Sequence, residues 1–519
     1  MSLKEDVASL LDHSILLCKE CPDSTLLEEK LKELRKRLDI PLRVAVVGIM
    51  KAGKSTFMNA LLGADVVITG DVETTYTVCW FRYGKTPGLQ IYFRDGTKQS
   101  APFEDLKKWS VRAYEKENSR INDVKYLIIQ YPAPILKSME FIDTPGLNSV
   151  YQKDAQNTLD FLAIQGAKET VAEAGMADAV IYAFSRTAGD FDQKILKAFH
   201  GNGELQASPI NSLGILTKAD GTGIWQVYDE VTPVQKANAV AKKIMQNQEM
   251  TRLLFTVLPV SAKSCAGVSQ LDQRDWSALQ RLSHMDIEDL KDYISDSREF
   301  KTCEDSDFSH LGTVEVRSSL MDKLGQYGIL QTVVLLQKKV PPQNIAAMMS
   351  RICGVDSVRN LVLSHFGSRT SLIKAQYIFS HLNSFLYEFR GGDLTPRLRQ
   401  LCFDIQEKIQ KLQDSIQSFR ELHCLQMYYS GQLVFSTEEE KRDFLRITGE
   451  YGSAPEIRLG TKPQNSVSEL ADTALQKANL WHSRETFGWM ISSEYVQTCG
   501  TLARSCEQIY YHLHALLDS

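Results

Sequence analysis

The chain has 519 residues, 24% of them charged, with a formal net charge of -5 and a pI near 6.1. That length can hold two or more domains with sizeable cores, and the acidic balance argues against nucleic acid as a main partner. Ten cysteines are scattered without a framework, which suits a reducing compartment. The one C-x-x-C, Cys18-Lys19-Glu20-Cys21, has no second pair at zinc spacing and reads as helix cysteines one turn apart. No signal-peptide pattern opens the chain, and no apolar run reaches membrane-spanning length. The longest such run, Ile329 to Leu336, is interrupted by Gln331 and Thr332. A cytoplasmic protein is expected, touching a membrane at most peripherally.

In chain order, residues 1–39 are helical in pattern, with Leu27, Leu31, Leu34 and Leu38 forming an apolar stripe that needs partner helices. Pro41 marks a boundary. Leu42 to Val47 then reads as a buried β-strand, and Thr56 to Leu62 as the first turns of a helix. Between them Gly48-Ile49-Met50-Lys51-Ala52-Gly53-Lys54-Ser55 fits the phosphate-loop pattern G-x-x-x-x-G-K-[ST] in the strand–loop–helix context it requires. Glycine lets backbone approach phosphate closely, and the helix N-terminus supplies amides for an anion. Gly48, Lys51, Ala52, Gly53, Lys54, Ser55 and Thr56 are the expected phosphate-binding set. Lys54 would sit between the β- and γ-phosphates and Ser55 would ligate Mg²⁺.

Three further motifs follow in the order a GTPase needs. Phe141-Ile142-Asp143-Thr144-Pro145-Gly146 ends a strand read as starting near Tyr126. Asp143 would hold Mg²⁺ through water and the Gly146 amide would meet the γ-phosphate. Ser212 to Asp220 is a strand ending in Thr217-Lys218-Ala219-Asp220. A carboxylate at Asp220 accepts both the N1 and N2 protons of guanine, a pair adenine does not offer, with Lys218 along the base. Val257 to Val260 is a strand ending in Ser261-Ala262-Lys263, whose Ala262 amide would meet guanine O6. The expected substrate is GTP, the expected product GDP and the expected metal Mg²⁺.

This motif set resembles the translation-factor-related GTPases and, within them, the bacterial dynamin-like proteins. The narrower resemblance rests on Asp71-Val72-Glu73-Thr74-Thr75-Tyr76-Thr77 ahead of a strand ending in Arg82-Tyr83-Gly84. It implies that Thr75, or its neighbour Thr74, closes on Mg²⁺ when the γ-phosphate is present. It also implies an α/β GTPase domain with a mostly parallel sheet and helices on both faces. An all-α bundle built from both termini would accompany it, with a homodimer formed through the G domains. Two departures bear on mechanism. Leu147 follows Gly146 where Ras-like enzymes keep a water-orienting glutamine. Ile49 and Met50 replace the Gln-Ser pair of eukaryotic dynamins, and Lys51 stands where potassium-dependent GTPases keep asparagine. Lys51 either brings positive charge toward the triphosphate, directly or across a dimer, or is a solvated lysine.

Almost everything after residue 270 reads as helix. The expected domains are 1–39, a helical segment packing on the C-terminal helices; 40–270, the G domain; and 271–519, a helical stalk or bundle. Residues 296–310 read as a polar linker. Gly312 to Arg317 and Gly354 to Arg359 match in glycine, valine and arginine, suggesting a duplicated unit at 310–338 and 352–382. Arg390-Gly391-Gly392-Asp393 reads as a hinge, and Phe403 to Phe419 as one continuous heptad-like seam. Residues 448–466 read as a long loop, offering Tyr451, Ile457, Arg458, Leu459 and Lys462 to lipid or simply to water. The expected function is GTP hydrolysis stimulated by dimerisation or assembly, at a membrane surface or away from one. A slow nucleotide-gated switch that recruits a protein partner is the alternative. A metabolic kinase is set aside by Asp220 and its motif, and an RNA-assembly GTPase by the charge balance.

Overall fold

The computed structural model describes residues 3–21, 23–49, 51–68, 78–110, 120–143, 177–185, 192, 209–221, 233–304, 308, 311–367, 369–390, 394–429, 431–487 and 492–517. The chain falls into two compact units. One takes Arg43–Phe199 and Ser212–Leu361; the other takes Met1–Leu42, His200–Asn211 and Val362–Ser519.

The first unit is built on a nine-stranded sheet. Its strands are β1 (Leu42–Gly48), β2 (Val78–Tyr83), β3 (Gly88–Phe93), β4 (Lys98–Ala101), β5 (Val124–Tyr131), β6 (Met139–Asp143), β7 (Ala179–Ser185), β8 (Ser212–Thr217) and β9 (Val257–Pro259). They lie in the order β4-β3-β5-β2-β6-β1-β7-β8-β9. From β1 through β7 and β8 to β9 the strands run parallel, as do β2 and β5; β6 opposes β2, and β3 opposes both β4 and β5. Parallel strands covered on both faces need unbroken apolar runs, and Val44 to Val47 and Ala179 to Phe184 are fully buried.

The strand read from Tyr126 to Asp143 is in fact two. Pro132 and Pro134 interrupt the ladder, the chain turns through Pro134–Lys137, and β5 and β6 flank β2 on opposite sides. Helices α3 (Lys54–Leu62), α4 (Ala262–Val268), α5 (Gln273–Leu282), α6 (Ile287–Ser295), α7 (Ser297–Thr302), α8 (Val314–Gln337), α9 (Pro342–Ile352) and α10 (Val355–Leu361) belong to this unit. It therefore runs on past residue 270 to Leu361.

The linker expected at 296–310 contains α7 instead. Asp296 caps α7 by accepting from the amides of Arg298 and Glu299, and Phe300 is fully buried. Buried Arg317 donates to the carbonyls of Phe300 (2.7 Å), Gly312 (3.1 Å) and Cys303. In the matching copy Arg359 donates to the carbonyls of Ala60 (3.3 Å) and Leu61 (3.0 Å) near the end of α3. The copies diverge after their arginines: Gly325 breaks α8, whereas Gly367 closes the π-helical turn Val362–Gly367.

The second unit is helical: α1 (Leu3–Lys19), α2 (Thr25–Asp39), α11 (Thr370–Arg390), α12 (Pro396–Ser415), α13 (Gln417–Tyr429), α14 (Glu438–Ile447), α15 (Pro455–Leu459), α16 (Val467–Phe487) and α17 (Ser493–Leu517). The stripe Leu27, Leu31, Leu34 and Leu38 is buried, with α2 packed on α1 and α11. Buried Lys374 of α11 donates to the carbonyls of Arg37 (3.1 Å), Leu38 (3.4 Å) and Ile40, neutralising the open C-terminal end of α2.

The seam expected from Phe403 to Phe419 breaks at Ile416, whose extended backbone (ψ 121°) ends α12 before α13 begins. The long loop expected at 448–466 holds α15 and is partly built into the fold. Leu459 is buried, Arg458 pairs with Glu421, and Glu450 lies buried 2.7 Å from Arg369. Tyr451 and Ile457 stay exposed. The hinge at Gly391 to Asp393 lies outside the described residues. Among those described, no helix is long and apolar enough to cross a membrane.

Candidate nucleotide-binding site

β1 delivers the chain into the phosphate loop at a point where only glycine fits. A Cβ on Gly48 would lie 2.6 Å from the Ala183 carbonyl oxygen of neighbouring β7. The loop then turns through Lys51, which takes a left-handed φ of 59° despite its side chain, and Gly53 (φ 85°) starts α3. Lys51 is exposed. Ala52 is buried; Gly53, Ser55 and Thr56 are half-buried.

Lys54 is folded into the loop, its Nζ donating to the carbonyls of Gly48 (3.2 Å) and Ile49 (3.1 Å). Burial pulls its ammonium down to about 8, against the stabilising charge of Asp143. Asp143, at the end of β6, is fully buried and pushed up to about 6 by desolvation, with Lys54 and the Ser55 hydroxyl acting the other way. Ser55 Oγ donates to Asp143 Oδ2 at 3.2 Å, while Asp143 Oδ1 has no hydrogen-bond partner among the described residues.

A buried carboxylate oxygen without a donor, next to a hydroxyl, suits a hard cation that takes oxygen ligands. Ser55 and Asp143 therefore fit Mg²⁺. Thr75, the other expected ligand, lies outside the described residues, as do Thr74, Gly146 and Leu147.

The second cluster gathers where β8 and β9 end. Thr217 is buried, and its hydroxyl lies within hydrogen-bonding reach of the Ala52 carbonyl and of the Phe184 carbonyl (2.8 Å). It thus braces the phosphate loop from beneath. Lys218 (φ 54°) crosses to the loop, its Nζ donating to the Lys51 carbonyl at 2.7 Å. Asp220 follows, half-buried. Burial raises its carboxyl, opposed by its own amide and by Ser261, Lys263 and Ser264. Ser261 precedes α4, so the amide of Ala262 opens that helix among the donors that have no intrahelical partner. Lys263 is exposed beside it.

Sequence reasoning did not single out Asn59 or Ser264. Asn59, buried in α3, accepts from the amides of Val66 (2.9 Å) and Val67 (2.6 Å) and donates to Asp65 (2.9 Å) and the Val67 carbonyl (2.7 Å). It fastens the chain shortly before the segment that carries Thr74 and Thr75. The signal was there to read: an amide side chain set among Phe57, Met58, Ala60 and Leu61.

An ammonium and a cation-ready carboxylate at one end of the loop call for a phosphate chain with its metal. A second carboxylate, Asp220, beside the Ala262 amide fits a base with paired protons, as the T-K-x-D and S-A-K motifs lead one to expect. The class is thus a GTP-binding P-loop protein of the GTPase type. Residues 44–219 match the family model described as "Dynamin family". The chain is 26% identical over 456 residues to the isoniazid-induced protein IniC of Mycobacterium tuberculosis (strain CDC 1551 / Oshkosh), covering 88% of this chain and 87% of that one. It is 36% identical over 157 residues to dynamin-like protein 2 of Campylobacter jejuni subsp. jejuni serotype O:23/36 (strain 81-176), covering 29% and 25% of the two chains. A solved structure described as "An oligomerised bacterial dynamin pair provides a mechanism for the long range sensing and tethering of membranes" aligns over 98% of this chain and 91% of its own. There the identity is 14% and the TM-score 0.33. Motifs, site and sequence matches agree over residues 44–219, where the chain is similar to the dynamin family.

Proposed function

We propose that this protein hydrolyses GTP to GDP and phosphate and that pairing of two G domains, or higher assembly, stimulates the reaction. The observation that carries the reading is the buried Asp143, with one oxygen lacking a partner, beside Ser55 and the desolvated Lys54. Lys54 leaves its loop carbonyls to face the phosphates, and the amides from Lys51 to Ser55 line them. Asp220 accepts the two guanine protons and the Ala262 amide donates to O6. Ser55, Thr75 and Asp143 would hold Mg²⁺, which when bound would supply positive charge against the β- and γ-phosphates.

Leu147 can neither orient nor polarise a water, so the group that speeds hydrolysis comes from another place. Lys51, exposed at the tip of the loop with its main chain held by Lys218, is the proposed donor of positive charge, within the chain or across the pair. The segment 1–39 works with the C-terminal helices as the element that carries nucleotide-driven motion. Peripheral contact with a membrane belongs to the same proposal, and no nucleic acid does. The lack of a glutamine after Gly146 equally favours a second reading, a slow switch that recruits a protein partner without remodelling a membrane.

Nucleotide binding tests the site directly. GTP and GDP are expected to bind at least about a hundredfold more tightly than ATP, and Lys54→Ala to lose that binding. Asp143→Asn should keep GDP but lose the gain in GTP affinity that Mg²⁺ brings. Equal affinity for ATP and GTP would overturn the guanine reading.

A further inference from the structure

Helix α8 is not continuous. Gly325 takes φ 67°, ψ 174° in its middle, a conformation outside the helical region that L side chains rarely adopt. The break has a definite place. A Cβ on Gly325 would lie 4.0 Å from Asp220 Oδ2 and 4.0 Å from Lys263 Cδ, so the backbone of α8 stands against both guanine-reading loops. The approach is as close as backbone allows: a Cβ on Gly267 of α4 would sit 2.1 Å from the Lys323 carbonyl oxygen.

One fully buried hydroxyl joins the three elements. Ser264 Oγ accepts from Ser261 Oγ at 2.9 Å and donates to the Leu324 carbonyl at 3.0 Å, with Asp220 Oδ2 3.5 Å away. Neighbouring side chains pin the same turn of α8. Lys323 pairs with buried Asp275 at 2.6 Å, and Gln326 donates to the carbonyls of Ile294 and Ser295, both at 2.8 Å.

We propose that Ser264 is a positioning residue for the guanine base, setting the Asp220 carboxylate and tying it to the break in α8 at Leu324–Gly325. A hydroxyl has one proton, and here two acceptors lie within its reach. Without a base, the donors around Asp220 are its own amide, Ser261 and Ser264. When guanine supplies N1–H and N2–H, the Ser264 proton stays shared between Asp220 Oδ2 and the Leu324 carbonyl and holds the carboxylate in line with both base protons. Base occupancy is thereby passed to the turn Lys323–Tyr327. The inference rests on the reading of Asp220 as the guanine acceptor.

The test uses the full chain and compares guanosine with inosine nucleotides, which lack the 2-amino group. Wild type should prefer GDP to IDP, and GDP should slow amide hydrogen exchange across residues 323–327 more than IDP does. Ser264→Ala should weaken GDP by about tenfold, the scale of one buried hydrogen bond to a charged group. It should also shrink the GDP-over-IDP preference and abolish the exchange protection. Lys323→Met, which loosens the same turn without removing the hydroxyl, should leave that preference unchanged. Wild-type preference and protection that survive in Ser264→Ala would overturn the inference. So would a wild type whose residues 323–327 are not protected by GDP. A wild type with no preference for guanosine over adenosine nucleotides would instead bring down the Asp220 reading, and this inference with it.

Discussion

Two charged groups at the phosphate loop are stored in unfavourable surroundings. Lys54 is an ammonium taken out of water, and Asp143 is a carboxylate with an oxygen left bare. Such an arrangement is costly in a merely structural role and useful where a ligand of opposite charge completes it. These two were legible in the sequence because the motif fixes their spacing on strand, loop and helix. Thr217 was not. It stands in the Thr217-Lys218-Ala219-Asp220 motif without a contact that the motif fixes, and burial turns its hydroxyl toward Ala52 and Phe184. Thr217→Val keeps the volume and removes the donor. It should weaken GDP and GTP alike, by about tenfold for one buried hydrogen bond, with the GTP-over-ITP preference unchanged. Competition binding of the three nucleotides measures this, and a changed base preference would place Thr217 at the base after all.

At the scale of elements, sequence patterns found strands and helices better than they found their ends. β1 followed from an apolar β-branched run, β8 and β9 from strands closing on a motif, and β2 from the family resemblance. Pro132 and Pro134 signal the division of β5 from β6, but that the two flank β2 on opposite sides is a non-local fact that a run of alternating residues does not carry. The break at Ile416 hides for a similar reason, since an isoleucine on an apolar seam reads as helix until its backbone is seen.

The π-helical turn Val362–Gly367 was not legible either, and it carries a titratable group. His365 is buried, with Nε2 3.0 Å from the Pro209 carbonyl. Nδ1 faces Arg369 at 3.4 Å and Glu450 at 3.8 Å. Burial, and then the charge of Arg369, pulls its imidazole from 6.5 down to about 3. The unfolded chain therefore binds a proton below about 6.5 that the folded chain refuses until about 3. Stability tied to His365 is present above pH 6.5 and is lost as pH falls through that window, by at most about 1.4 kcal/mol per pH unit. Denaturant melts between pH 7.5 and 5.5 should show a shallower fall for His365→Gln than for wild type. Parallel pH profiles would mean that His365 is not held neutral.

For the whole chain, sequence neighbours and spatial neighbours part company. The first 42 residues group with Val362–Ser519, while the helices from Gln273 to Leu361 group with the sheet. Composition cannot announce this, because α5 to α10 are as helical in pattern as anything in the second unit. What assigns them is packing: the close crossing of α4 and α8 at Gly267, and the hold of Arg359 on the end of α3. The stripe on α2 showed that residues 1–39 need partners, but not that Lys374 would close the end of that helix.

The central claim is that this GTPase domain is completed by pairing. GTP turnover measured against protein concentration, with Lys54→Ala as the blank and with or without anionic liposomes, tests it most directly. Specific activity should climb with concentration, and a further rise on liposomes would locate the work at a membrane surface. A specific activity that stays flat and near zero while GTP binds tightly would contradict the claim and leave a nucleotide-gated switch.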